Sequence, residues 1–369
     1  MPNSSSNPQV LINTSYGPFT VELYPSQAPA TVANFLAYVD ADFYDGTLFH
    51  RVIDQFMVQG GGLTRNLQAK PTSAPIALES NTGLTNDRGT IAMARTSAPD
   101  SATSQFFVNT VNNTGLNYQS SSQPGYAVFG KVIDGMDVVD AIENVKTANV
   151  LVNGTVTYQN FPYPYPPFVY SAARYSAAET LQPTSHTLQG NAYGVAIASY
   201  SGSRLDYGVK LNADRTLTVT KIDGQHSSET VTDAGRLRFT DGQYAYDLNG
   251  NAGKTALMIN AAAGLNALTP GIVGIGLNLF DQGVNWQQAA QAVVDTGFFA
   301  PLSHADFVKT VYKNVVGTVP DAATQASFTA LLDHGEATQA QLLALAANTD
   351  FNASTVNLVG LAHMGLAYL

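Results

Sequence analysis

The sequence predicts a multidomain chain: an N-terminal closed antiparallel β-barrel capped by two helices, a small central β-rich region and a C-terminal α-helical bundle. Three observations predict it. Short apolar-polar alternations broken by Gly, Pro and Asn fill the first 150 residues. Near Tyr158 the composition changes abruptly to prolines alternating with aromatics. From Thr269 onward apolar residues recur at helical spacing. The divisions expected are 1–150, a linker at 151–186, a β-rich module at 187–268 and a helical module at 269–369.

Val10 and Ile12, then Phe19, Val21 and Leu23, alternate with polar neighbours around the Tyr16-Gly17 turn, which predicts a hairpin. Pro29 opens a helix in which Val32, Phe35, Leu36 and Val39 form one apolar stripe. A second helix is expected after Asp134-Gly135, with Met136, Val139 and Ile142 on one side. The run YQNFPYPYPPFVY, with Pro162, Pro164, Pro166 and Pro167, favours an extended polyproline II spacer, with a docking motif or a substrate of the chain's own N-terminal domain as the functional alternative. Beyond it, strands are expected at Tyr193 to Tyr200, Tyr207 to Leu211, Thr216 to Ile222, Leu237 to Thr240 and Tyr244 to Leu248, with turns at Asp223-Gly224 and Asp241-Gly242. Helices are expected at Asn285 to Asp295, Ser303 to Val316, Asp321 to His334, Thr338 to Ala347 and Ala353 to Ala367, with Ser303, Gly317 and Gly335 at cap positions.

Composition excludes several classes. With 12% charged and 45% apolar residues the chain is globular rather than disordered, and no apolar run approaches the length of a membrane span. A net charge of -10 without a basic cluster argues against nucleic acid as a partner. The absence of cysteine removes disulfides and thiolate chemistry. His50, His186, His226, His304, His334 and His363 show no metal-ligand spacing, so no metal and no other cofactor is expected. MPNSSSNPQV lacks the basic and apolar regions of a conventional secretory signal.

The segment FHRVIDQFMVQGGGLT (Phe49 to Thr64) sets one arginine beside large apolar side chains and an amide. It is followed by IAMARTSAPDSATSQFFVNT (Ile91 to Thr110) and GYAVFGKVIDGMDVV (Gly125 to Val139). In order and spacing these three segments resemble the cyclophilin family of peptidyl-prolyl isomerases, in its bacterial type, over roughly residues 8 to 148. The resemblance implies an eight-stranded barrel capped by two helices and catalysis on Xaa-Pro bonds of peptides and unfolded proteins. It implies Arg51 and Gln59 as catalytic residues. Phe56, Met57, Ala94, Gln105, Phe107, Leu116 and Tyr126 are implied as the substrate-binding groove.

The chemistry fits those residue types. Prolyl isomerisation is slow because amide resonance gives a barrier of about 18–20 kcal/mol. A guanidinium aimed at the imide nitrogen or the adjacent carbonyl stabilises the twisted state more than the planar one. One charge-assisted hydrogen bond of about 1.5–3 kcal/mol corresponds to about 10- to 150-fold in rate. No proton transfer is required, so His50 is expected to be structural and, by strand alternation, on the face opposite Arg51. Four positions depart from the family pattern, among them Arg95 and Thr96, which replace the small polar pair often found after the matched alanine, a substitution familiar among bacterial members. Gly115 stands where many members have an aromatic, which predicts weak cyclosporin binding, and Tyr126 stands where many have histidine.

AGRLRFTDGQYAYDLNGNAG, GIGLNLFDQG and DFVKTVYKNVVGTVPDAAT resemble modules at the C-termini of secreted RTX-type bacterial proteins, although the calcium-binding nonapeptide is absent. This favours an extracellular protein exported from its C-terminal end, with a cytoplasmic location as the alternative. The competing function is a secreted or surface interaction protein whose proline-binding domain is weakly active or vestigial, with Gly115 in its favour.

Overall fold

A computed structural model describes residues 7–152, 156–163, 166–175, 186–222 and 227–369. Met1 to Ser6, Pro164, the Asp223-Gly224 turn, His226 and the 176–185 end of the expected linker lie outside the described residues. Two compact units emerge, one of residues 1–184 and 205–230, the other of 185–204 and 231–369.

In the first unit β1 (Gln9–Thr14) and β2 (Gly17–Leu23) form the expected hairpin, followed by α1 (Pro29–Asp40), β3 (Thr47–Ile53), β4 (Met57–Thr64), β5 (Thr90–Met93), β6 (Phe106–Asn109), β7 (Val128–Asp134) and α2 (Met136–Glu143). Pro29 sits in the first turn of α1 and Val32, Phe35, Leu36 and Val39 are buried, as the stripe predicts. Phe35 lies at the centre of the core, with ring centroids 5.2 Å from Tyr44, 5.7 Å from Phe106 and 5.1 Å from Phe129.

The linker expectation meets a different structure. β8 (Thr147–Val152) pairs with β9 (Val156–Pro162), and β10 (Val169–Tyr175) pairs with β1 from Gln9–Tyr175 to Thr14–Val169. β10 is thus a strand of the main sheet, whose order is β10-β1-β2-β7-β5-β6-β4-β3. The expectation of a closed barrel is also corrected. The eight-stranded sheet curls into a half-barrel whose edge strands β3 and β10 are not paired along their length. They approach at the Leu48–Phe168 bridge, with hydrogen bonds from Gly46 N to Val169 O and from Phe49 N to Pro167 O, each 2.8 Å. Pro166 and Pro167 have no N–H to donate, so the ladder cannot run on from that bridge. Leu48, Phe161 and Phe168 bury one another beneath it.

Strands β13 (Tyr207–Leu211), β14 (Leu217–Lys221) and β15 (Ser228–Val231) form a separate small sheet. In the first unit Asn13 donates to Tyr207 O at 3.3 Å, and Lys210 pairs with Asp137 at 2.7 Å. The other strands of the expected β-rich module, β11 (Thr187–Gly190), β12 (Ala196–Ser199), β16 (Arg236–Phe239) and β17 (Gly242–Ala245), join β18 (Leu366–Tyr368) in a five-stranded mixed sheet of the second unit.

Helices of the second unit are α3 (Asn251–Ala263), α4 (Pro270–Asp281), α5 (Trp286–Asp295), α6 (His304–Val316), α7 (Ala322–Asp333), α8 (Gln339–Ala347), α9 (Asp350–Val356) and α10 (Leu358–Met364). Ser303 caps α6 through Asp306 N and Gly317 ends it at φ +85. The single helix expected from Ala353 to Ala367 is broken at Asn357, which adopts φ +54. Phe280, Phe299, Phe307, Val311 and Leu343 centre the helical core. Among the described residues no helix is long and apolar enough to cross a membrane, and no group of three or more acidic or histidine side chains converges as a metal site would require.

Candidate active site

The site follows from strand alternation on β3, β4, β5 and β6. Side chains two residues apart share a face, so Met57 and Gln59, Ala92 and Ala94, and Gln105 and Phe107 come in same-face pairs. Register stacks them: Arg51 opposes Gln59, Gln59 opposes Phe107, and Phe107 opposes Ala92. Met57, Ala92, Phe107 and Val128 form a buried apolar floor, with Phe56, Ala94, Leu116 and Tyr126 packed against it. The result is a cleft of ≈ 190 Å³ lined by Arg51, Phe56, Met57, Gln59, Ala94, Arg95, Phe107, Leu116 and Tyr126.

Polar groups run along one wall. Arg51 Nη1 donates to Gln59 Oε1 at 3.3 Å, and Gln59 Nε2 donates to Gln105 Oε1 at 2.9 Å. Gln59 thereby has its carbonyl turned to the guanidinium and its amide to Gln105, which leaves Arg51 oriented with its remaining N–H donors unspent. Gly62 makes room for this chain, since a Cβ there would lie 2.6 Å from Gln105 Cγ. Gln105 itself does not line the cleft but holds the residue that does.

His50 is buried, as expected of a structural histidine. The alternation behind its expected placement opposite Arg51 is interrupted, because the register of β3 against β4 shifts between Phe49 and Arg51. Burial pushes the imidazole below its ordinary value, hydrogen bonds with the Leu48 backbone and Gln105 act the other way, and the Arg51 charge adds to the downward push. His50 is therefore a neutral ring behind the polar wall.

Two walls are pinned by an asparagine network that the sequence reading missed. Phe56 O accepts from Thr110 N at 3.1 Å and Asn113 Nδ2 at 2.8 Å. Asn113 also donates to Asn109 Oδ1 at 2.7 Å, Asn109 donates to Asn86 Oδ1 at 3.2 Å, and Asn86 donates to Leu116 O at 3.0 Å. Phe56 and Leu116, which both line the cleft, are thus tied through asparagine amides. Asn86 and Asn113 lie in loops and Asn109 at the end of β6, where asparagine carries no periodic signal, so only the contacts expose the network. Tyr126 stands edge-on to Phe107 at 5.6 Å, and Arg95 stacks over Tyr126 with Cζ 4.6 Å from the ring centroid. Gly125, at φ +62, carries the chain between them, and a Cβ there would lie 2.5 Å from Leu116 O. Gly115 sits on the short helical turn Thr114–Leu116, where an added Cβ would meet no atom within 4 Å.

An apolar floor beside the oriented Arg51 guanidinium, with no nucleophile or acid-base pair among the lining residues, suits a reaction in which a ring is held and a bond is twisted. Known proteins agree. The family model for cyclophilin type peptidyl-prolyl cis-trans isomerases matches residues 9–160. A peptidyl-prolyl cis-trans isomerase of Acinetobacter baylyi is 53% identical over 154 residues, covering 42% of this chain and 81% of the relative. One of Streptomyces antibioticus is 56% identical over 142 residues, 38% of this chain and 86% of the relative. Peptidyl-prolyl cis-trans isomerase B of Escherichia coli is 51% identical over 140 residues, 37% of this chain and 85% of the relative. Identity above one half across most of each relative's length, on the segments that build the cleft, places the chain in the cyclophilin-type peptidyl-prolyl cis-trans isomerase family.

Proposed function

We propose that residues 9–175 form the isomerase domain, and that it interconverts cis and trans Xaa-Pro bonds of peptides and unfolded proteins without covalent chemistry. The carrying observation is the Arg51–Gln59–Gln105 hydrogen-bonded chain on the wall of a cleft floored by Met57 and Phe107, with Phe56 packed against them. The proline ring occupies the apolar floor, where dispersion and dehydration fix it. Gln59 holds the peptide backbone and the guanidinium. Arg51 donates to the imide nitrogen, or to the adjacent carbonyl, as resonance is lost in the twisted state, so its bond is stronger there than in either ground state. No cofactor enters this scheme.

A protease-free relaxation assay on a proline tetrapeptide tests the reading. The full chain should accelerate return to the equilibrium cis fraction, and a chelator should leave the rate unchanged. Relaxation at the uncatalysed rate with the peptide bound would favour the vestigial proline-binding alternative.

For the second unit we infer an addressing role rather than a catalytic one. It lies outside the family match and has its own core, and the resemblance of its sequence to C-terminal modules of secreted RTX-type proteins supports extracellular delivery. A reporter protein carrying residues 185–369 should be exported by the native host. Its retention in the cell would remove this reading.

A further inference from the structure

We propose that Arg95 makes this isomerase select prolines flanked by an acidic side chain. The proposal rests on the isomerase reading above. Beside the proline cleft lies a second hollow of ≈ 550 Å³, and Arg95 and Tyr126 line both. The other residues of that second hollow are neutral, among them Ser97, Asn117, Gln119 and Gln123. Among the described residues lining the two hollows, the charged side chains are Arg51 and Arg95, with no carboxylate to neutralise either. In a chain of net charge -10, the substrate-binding surface is therefore locally cationic.

Arg95 is also held in place. Its Nε and Nη2 donate to Gly125 O at 2.9 and 2.8 Å, and its Nη1 donates to Thr96 O at 2.9 Å. Of about five guanidinium N–H donors, these three contacts leave about two for a ligand. Stacking over Tyr126 limits rotation of the plane. A donor fixed this way loses little side-chain entropy on meeting a carboxylate. The hollow is open beside Gly115, where an added Cβ meets nothing within 4 Å, so a peptide residue next to the proline has room to reach it. Arg51 is committed to the reacting bond, which leaves Arg95 as the cation available to a flanking side chain.

The test compares kcat/KM of the full chain on two tetrapeptide sets, one varying the residue before proline and one varying the residue two before it, each with Glu, Gln and Lys. Expected in at least one set is a Glu-to-Gln ratio of about two- to fivefold, the scale of an exposed ion pair, with Lys below Gln. Arg95→Gln should bring the ratio to one and Arg95→Lys should keep part of it. In the native chain the ratio should shrink between about 20 mM and about 1 M salt as the Debye length falls to about 3 Å. A ratio of one in both sets, or a ratio that survives Arg95→Gln, overturns the proposal. Should Arg95→Gln fail to fold, a ratio indifferent to salt overturns it instead. Turnover of the Gln peptides by the native chain reports the isomerase reading itself, so absence of the charge preference from the native chain with that turnover intact sinks this inference alone.

Discussion

Replacing Arg51 separates catalysis from folding, and the structure sets the size of both effects. The guanidinium is half-buried at the cleft wall, and among the described residues no carboxylate lies within ion-pair distance of it. Its protein contact is one long hydrogen bond of 3.3 Å to Gln59. Arg51→Ala therefore costs little stability, under about 1 kcal/mol, because a single partly solvated bond is lost and Gln59 keeps Gln105. The catalytic loss is larger. Removing a charged donor that acts on the twisted imide forfeits about 1.5–3 kcal/mol of transition-state stabilisation, or about 10- to 150-fold in kcat/KM. Arg51→Lys, which keeps the charge but not the planar fork that Gln59 orients, should fall between native and alanine. The checks are protease-free tetrapeptide relaxation and thermal unfolding of the same preparations. Less than about a threefold loss in Arg51→Ala, with native-like unfolding, would show that the apolar pocket alone carries the rate.

Four further outcomes follow from the geometry. Because burial lowers the His50 pKa, the unfolded chain takes up its proton first as pH falls. Stability from the neutral ring is full above the ordinary imidazole range and is lost as pH drops through that range toward the folded value. His50→Gln should flatten the dependence of Tm on pH between about 7.5 and 5, and an unchanged slope would assign it to other groups. Gly115→Trp should tighten cyclosporin binding by about 1–3 kcal/mol, since an added Cβ there meets open space; calorimetric titration of both proteins decides it. A fragment ending at residue 150 leaves β1 without its β10 partner, so its urea midpoint should fall below that of a fragment ending after Tyr175. In the second unit Asp281 accepts from Arg236, Asn191 and Asn251, and both Arg236 and Asp281 are buried. Arg236 keeps its bidentate contact with Asp247 when Asp281 is replaced, so Asp281→Leu should destabilise that unit by about 1.5–3 kcal/mol, and the double variant Arg236→Met with Asp281→Leu by less than the sum of the two single losses. Trp286, the chain's one tryptophan, reads this out by fluorescence from its place against Phe280; additive losses would rule out the buried-charge explanation.

Legibility of the helices in the sequence tracked how much of each one's burial is one-sided. α1 shows its stripe because one face meets the core and the other does not, whereas β1 is buried on both faces and the hairpin was legible from the alternation of its residue types around the Tyr16-Gly17 turn. The residues that line the cleft were legible through motif order, since Arg51, Phe56, Met57 and Gln59 fall within one run and the register of β3 against β4 joins its ends. α3 was not legible: nearly all of Asn251–Ala263 is buried, so an Ala-rich helix enclosed on all sides shows no stripe. α4 was hidden by Gly271, Gly274 and Gly276, which look like breakers. Two of them are there for contact, because a Cβ at Gly274 would lie 2.3 Å from Leu369 O and one at Gly276 would lie 2.6 Å from Thr255 Cγ2.

The case of β10 shows why the barrel expectation failed. Prolines 162, 166 and 167 suppress local strand propensity on the approach to Val169, so the segment reads as a spacer. Its strand character comes from β1, which offers an unpaired edge from Gln9 to Thr14 that a chain of almost any alternating composition can satisfy. Pairing of that kind is decided by the partner, 153 residues away at the Phe168 N to Ser15 Oγ hydrogen bond, and leaves no signature in the paired segment. The cleft lies on β3, β4, β5 and β6, at the opposite end of the strand order from β10, and its side chains are set by neighbours within one local run or one matched motif. An error about how the sheet ends therefore leaves the assignment of Arg51, Gln59 and the apolar floor untouched. It changes instead where the isomerase domain must be cut for it to stand alone.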